Sequence, residues 1–192
     1  GVSYAVGRES NASYGESLNG AQPKQGYHKL KTGVDPYVIK EFDGVKIAFV
    51  GISTPKTLIS SKPSNFRDEN GEYVYGFCED LTGESLYAAV QKAVDVARAE
   101  GAQYVIALAH LGLETSCSPW MSSEVIANTT GIDVMLDAHS HTVMPCEKIK
   151  NDEGKEVLLT STGTKLDALG CLTLSTDGKF SSKLVENKGA AD

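Results

Sequence analysis

Histidine is scarce in this chain, with four in 192 residues, and several other features are missing altogether. No run is long enough to span a membrane, and no signal peptide opens the sequence, although a mature secreted protein would lack one too. The cysteines Cys78, Cys117, Cys146 and Cys171 form no C-x-x-C pair, which argues against a zinc ribbon. Buried thiols and an oxidised Cys78–Cys117 pair both stay open at this level. Basic residues number 18 against 25 acidic ones, for a net charge of −7. A chain of that sign does not hold polymeric nucleic acid through its phosphates. A small anionic substrate is still compatible, because bound metals reverse the local field. There is no internal repeat and no low-complexity tract.

What is there is an ordinary soluble composition, 41% hydrophobic and 22% charged, in a length that suits one domain with a real core. Residues 1–35 are rich in Gly, Ser, Asn and Lys and show no sustained apolar period, so an irregular N-terminal segment is expected there, with a surface role for His28. The rest, 36–188, reads as one domain. Pro36–Phe42 and Val45–Gly51 flank Asp43-Gly44, a hairpin signature in which the second, more apolar strand is the more central. Residues 56–79 are mixed and polar, and no chemistry is placed there. Leu86, Ala89, Val90, Ala93, Val94 and Ala97 recur at helical spacing, with Thr82 as the expected N-cap and Gly101 just past the C-terminus. A strand ending at His110 follows, so the order strand–helix–strand predicts a crossover onto a largely parallel sheet. Ser122–Asn128 reads as a short helix before a further strand, and four short strands follow, with turns at Asp152-Glu153-Gly154 and Thr176-Asp177-Gly178.

The chemistry is concentrated in three of the four histidines. Val105–Ala109 runs apolar into His110, and Ile132–Leu136 leads to Asp137-Ala138-His139-Ser140-His141. In open α/β sheets ligands bind at the carboxyl ends of the strands, and imidazole is the commonest protein ligand for zinc-like metals. A His-x-His pair alone also occurs as a surface accident, but His110 at a second strand end speaks for a site. Residues i and i+2 of a strand face opposite ways. A turn just past the strand would let both rings face one site and serve two adjacent metals, which in such centres lie roughly 3.5–4 Å apart. Ser140 has no base beside it and reads as a spacer.

Leu108-Ala109-His110-Leu111-Gly112 and Gly131-Ile132-Asp133-Val134 running into His139-Ser140-His141-Thr142 resemble the last two metal-binding motifs of the calcineurin-like metallophosphoesterases. The similarity is to the 5′-nucleotidase branch, which includes 2′,3′-cyclic-nucleotide 2′-phosphodiesterases. Pro36–Glu41, Gly44–Ile47, Val50–Ile52 and Thr54-Pro55 fit the segment before those motifs, and Gly154–Leu158 and Leu169–Leu172 the segment after, so the resemblance spans about Pro36 to Leu174. It implies an α/β fold, the C-terminal half of a four-layer α-β-β-α sandwich. It implies hydrolysis of a nucleotide or other small phosphate ester by two divalent metals, zinc, manganese or similar. His110 and His139 would bind one metal and His141 the other. It also implies a periplasmic, cell-surface or extracellular location.

The sequence departs from that pattern in two ways. Asp137-Ala138 stands where the family usually has two glycines. The family's earlier Asp-x-His, Gly-Asp and Asn-His motifs, with the bridging carboxylate and the proton-donating histidine, are not found in Gly1–Asp35. The expectation is therefore a partial catalytic domain with little activity alone. At most weak, single-metal binding is expected, at His110–His139, together with an oligomer formed through exposed sheet edges. A non-catalytic metal-binding or structural remnant is the alternative from another class. A different His-x-His hydrolase is a third, but a barrel amidohydrolase would carry the pair early in about 250 residues. A metallo-β-lactamase-like site needs an Asp-His where Thr142-Val143 stands.

Overall fold

The computed structural model describes residues 36–73 and 75–189, together with the short strand β1 (Val6–Gly7). The remainder of the 1–35 segment, His28 included, lies outside the described residues. A six-stranded mixed sheet forms the centre. Its strands are β2 (Tyr37–Phe42), β3 (Val45–Ser53), β5 (Tyr104–His110), β6 (Val134–Asp137), β7 (Val143–Lys150) and β8 (Glu156–Thr162), in the order β2-β3-β5-β6-β8-β7. The four inner strands are parallel, and the edge strands β2 and β7 run antiparallel to their neighbours. The Asp43-Gly44 turn, with φ of 48° and 81°, closes the β2–β3 hairpin, and β3 is the inner strand as its apolar run requires.

The long helix α2 (Glu84–Ala99) is the crossover between β3 and β5, after the one-turn helix α1 (Thr57–Ser60) and the strand β4 (Tyr75–Gly76), which pairs with β1. Its buried stripe of Leu86, Val90, Ala93, Val94 and Ala97 packs on Ala48, Val50 and Ile52 of β3 and on Val105 and Ala107 of β5. The short helix α3 (Ser122–Ala127) adds Val125 and Ile126 to the same core. Each fully buried Val, Leu or Ile contributes about 1.5–3 kcal/mol, so this face holds the domain together.

Among the described residues the other sheet face is only partly covered. The antiparallel hairpin β9 (Ala168–Leu174) and β10 (Phe180–Glu186) lays Leu172 and Phe180 over Ile106, Val134 and Leu158. Phe180 meets Tyr104 edge-on, with ring centroids 5.3 Å apart. Leu108, on the same face nearer the carboxyl edge, stays 42% exposed. Helices over one face and a half-open second face make this an α/β half-sandwich, the fold class the sequence implied.

The start of α2 differs from expectation. The residue preceding the helix is Gly83 at φ 84°, not Thr82. Asp80 reaches forward and accepts the amides of Thr82 at 2.9 Å and Ser85 at 2.7 Å, and that of Gly83 as well. An acidic side chain satisfies more free N–H groups here than one hydroxyl could, and it favourably faces the helix dipole. Gly101, at φ 94°, lies just past the other end as expected. There Arg98 donates to the carbonyls of Gly131, Ala102 and Gln103 and pairs with Asp133 at 2.6 Å, which ties the helix end to the amino ends of β5 and β6.

Candidate functional site

β5 and β6 are adjacent and parallel, so the loops that follow them leave the same edge of the sheet. His110 is the last residue of β5, and His139 lies two residues past the end of β6. His110 Nε2 and His139 Nδ1 stand 3.1 Å apart, with their rings at 67° to one another. His141 is exposed on the same loop, but no group of three metal-ligating side chains forms among the described residues. The structure thus brings two of the three sequence-identified histidines together and leaves the third outside the cluster.

Local backbone explains the placement. His139 adopts φ 90° and His141 φ 55°, so the chain leaves the extended conformation at both residues. Left-handed conformations at non-glycine residues cost of order 1–3 kcal/mol and persist where surrounding contacts over-determine them. Ala138 is not among the residues at positive φ, so its methyl in place of a glycine is harmless to the backbone.

The contacts that hold the turn come from Asp137 and Ser140. Asp137, 7% exposed, accepts the Leu111 amide at 3.0 Å and the Gly112 amide at 3.2 Å. Ser140 Oγ accepts the Leu113 amide at 3.0 Å and shares a hydrogen bond with Thr142 Oγ1 at 2.9 Å. Three successive amides after His110 are therefore captured by two side chains that bracket His139. Ser140 is a clamp rather than a spacer, and Asp137 is a buried acceptor. Sequence spacing could not reveal either role, because their partners lie 25 to 27 positions away. Gly112, at φ 92°, permits the close approach: a Cβ there would stand 2.7 Å from Cys117 Sγ and 3.1 Å from His139 Cδ2.

The electrostatics favour a neutral ring at His139. Partial burial lowers its pKa first, followed by the neighbouring His110 and the Lys56 ammonium, against the opposing pull of Asp137 and Glu114. Neutral imidazole is the form that ligates metals. Lys56 belongs to the stretch to which the sequence assigned no chemistry, yet it follows directly beyond β3, whose last residue Ser53 pairs with His110. The strand-end rule that singled out His110 applies equally to this position. Cys78 and Cys117, the pair left open above, are both free thiols.

Two imidazole nitrogens at this separation fit a single ion: nitrogens each about 2.0–2.1 Å from a tetrahedral zinc lie about 3.3 Å apart. No carboxylate joins them in a cluster among the described residues.

Known proteins share this arrangement of strands and helices. The chain is 26% identical over 125 residues to the trifunctional nucleotide phosphoesterase protein YfkN of Bacillus subtilis (strain 168), a match covering 65% of this chain and 7% of that protein. Among solved structures it superimposes on a 5′-nucleotidase precursor from Thermus thermophilus with a TM-score of 0.60 and 23% identity, over 82% of this chain and 31% of that one. The NAD nucleotidase NadN of Haemophilus influenzae matches with a TM-score of 0.56 and 20% identity, over 82% of this chain and 33% of that one. At those identities the two structures speak for the fold alone. The chain thus spans well under half the length of these relatives. The family model for the bacterial capsule synthesis protein PGA_cap matches residues 24–160. With most of its length inside that match, this chain is a member of the PGA_cap family.

Proposed function

We propose that this chain supplies the late metal-binding segment of a phosphate-ester hydrolase of the 5′-nucleotidase type, acting on a nucleotide or similar small phosphate ester in an exported, longer parent protein. The observation that carries the reading is the 3.1 Å approach of His110 Nε2 and His139 Nδ1 at the carboxyl ends of adjacent parallel strands. The names of the relatives support the ester class, and the small share of their length that the chain spans supports a longer parent.

In this reading His110 and His139 hold one divalent metal, zinc or another imidazole-favouring ion. His141 serves a second one that the parent completes. Two ions so held would supply Lewis-acid polarisation of the phosphoryl group and activation of water at neutral pH. Asp137 and Ser140 keep the two strand-end loops in register, so the rings meet the metal without reorganising. In this reading the bridging carboxylate and the proton donor come from elsewhere in the parent. Loss of a general acid typically costs about 10²–10⁴ in rate. Among the described residues no helix is long and apolar enough to cross a membrane. The outer strands β2 and β7 leave sheet edges that can pair with another copy or with the parent's remaining strands.

Calorimetric titration with zinc tests the site. The chain should bind one ion weakly, His110→Ala and His139→Ala should lose it, and His141→Ala should keep it. Adding the upstream half of the parent, fused or mixed, should restore turnover of para-nitrophenyl phosphate, and His139→Ala should abolish that turnover. Strong metal-dependent hydrolysis by the 192-residue chain alone would overturn the partial-domain reading. Zinc binding without any restored turnover would favour a non-catalytic metal-binding remnant.

A further inference from the structure

Lys56 brings a positive charge to the edge of the sheet that carries the histidines. Ser53, three residues earlier, is paired with His110 in the β3–β5 register. The Thr54 amide donates to the His110 carbonyl at 3.0 Å, and Thr54 Oγ1 accepts the Lys56 amide at 3.2 Å. The backbone that bears Lys56 is therefore fixed to the residue that ends β5. At the far end of the side chain, Nζ donates to Ser116 Oγ at 3.3 Å and lies 3.9 Å from Cys117 Sγ. Cys117 packs against Gly112 beside His139, both within 3.1 Å of the position a Gly112 Cβ would take. The ammonium is thus one side chain away from the His110–His139 pair, and its field reaches the His139 ring.

Among the described residues no carboxylate lies within ion-pair distance of Lys56. The four ion pairs among the described residues all involve other side chains. Ser116 and Cys117 offer neutral oxygen and sulfur acceptors, and a lysine has three donors. The side chain is half-buried, so the missing water is not fully replaced. An anion arriving beside the histidines would find a cation already held nearby by Ser116 and Cys117.

We propose that Lys56 is a phosphate-engaging residue, whose ammonium takes a non-bridging oxygen of a phosphomonoester held at the His110–His139 pair. This rests on the hydrolase reading above and narrows its substrate class. A contact made by one charge on another scales with ligand charge, so a dianionic monoester gains more from Lys56 than a monoanionic diester.

The test uses the zinc-loaded 192-residue chain and two inert probes, phenylphosphonate as its dianion and the monomethyl ester of phenylphosphonate as a monoanion, followed by phosphorus NMR. Lys56→Met should weaken phenylphosphonate binding about tenfold, the worth of a charge-assisted hydrogen bond, and should weaken the monomethyl ester much less. Lys56→Arg should stay within about threefold of the parent chain, since the cation is retained. Zinc affinity should be no weaker in either variant. Ser116→Ala removes the neutral brace and keeps the ammonium, so it should leave phenylphosphonate binding intact. Equal phenylphosphonate affinity in the parent chain and Lys56→Met, or no binding by the zinc-loaded chain, would overturn the proposal. Loss of binding in Ser116→Ala equal to that in Lys56→Met would also overturn it, in favour of a bracing role. Failure of the underlying reading is seen separately, as zinc binding that survives His110→Ala and His139→Ala together.

Discussion

The carboxylate of Asp137, at the end of β6, accepts the backbone amide of Leu111, the residue after β5, at 3.0 Å. The bond crosses from one strand-end loop to its neighbour, and the Gly112 amide doubles it at 3.2 Å. Asp137→Ala would leave both amides without an acceptor in a buried setting, at a cost of about 1–3 kcal/mol in denaturant unfolding. The loops would then hold the histidines less firmly, and zinc affinity should fall about tenfold or more. Asp137→Asn keeps one acceptor oxygen and should lose less on both counts.

Gly112 tests the same junction by steric means. With φ at 92°, an alanine there meets backbone strain of about 1–2 kcal/mol. Its methyl would also press on Cys117 Sγ, 2.7 Å away, and on His139 Cδ2. Gly112→Ala should therefore lower the melting temperature and weaken zinc binding. Adding Cys117→Ala removes the closer obstacle, so the double variant should recover part of the zinc affinity while keeping the backbone strain. Equal effects with and without Cys117→Ala would show that the sulfur contact does not matter.

Arg98 offers a control at the opposite end of the strands. Its guanidinium pairs with Asp133 at 2.6 Å and donates to three carbonyls, so Arg98→Met leaves a largely buried carboxylate with Lys155 alone as a charged partner. A loss of about 2–3 kcal/mol in unfolding free energy is expected. Zinc affinity of the folded variant should not change, because the histidines lie at the carboxyl ends of β5 and β6.

Cys78 gives a prediction in pH. Burial, with Glu79 and Asp80 adding repulsion, pushes its thiol up to about 12 from 9.0. The folded value exceeds the unfolded one. Stability is therefore fully present below pH about 9 and declines as the pH rises from there towards 12. Melting curves of Cys78→Ala, which has no thiol to ionise, should lose less stability over that window. At pH 8 iodoacetamide should modify the exposed Cys146 and leave Cys78 untouched until denaturant is added.

The elements of the fold were legible because each leaves a local periodic trace. Leu86 to Ala97 mark a helix by spacing alone, and Asp43-Gly44 and Asp177-Gly178 mark hairpin turns by the backbone they permit. The helix start lies one residue away from the expected cap, since Asp80 reaches the free amides from outside the pattern. Placing His110 and His139 on one edge also followed from sequence, because a right-handed crossover makes their strands parallel and ends both on the same side.

What the sequence determined by itself is thus the inventory: which residues form strands, and that histidines end two of them. Only the tertiary structure decided which groups meet. Asp137 finds its amides 25 and 26 positions away, Ser140 finds Leu113 at 27, and Lys56 reaches Ser116 across 60. Those separations carry no periodic signal. The departure of His139 and His141 into positive φ is likewise imposed by these distant bonds rather than by local preference, which disfavours it. That turn brings the ring of His139 to 3.1 Å from His110 and leaves His141 outside any cluster of three ligands among the described residues.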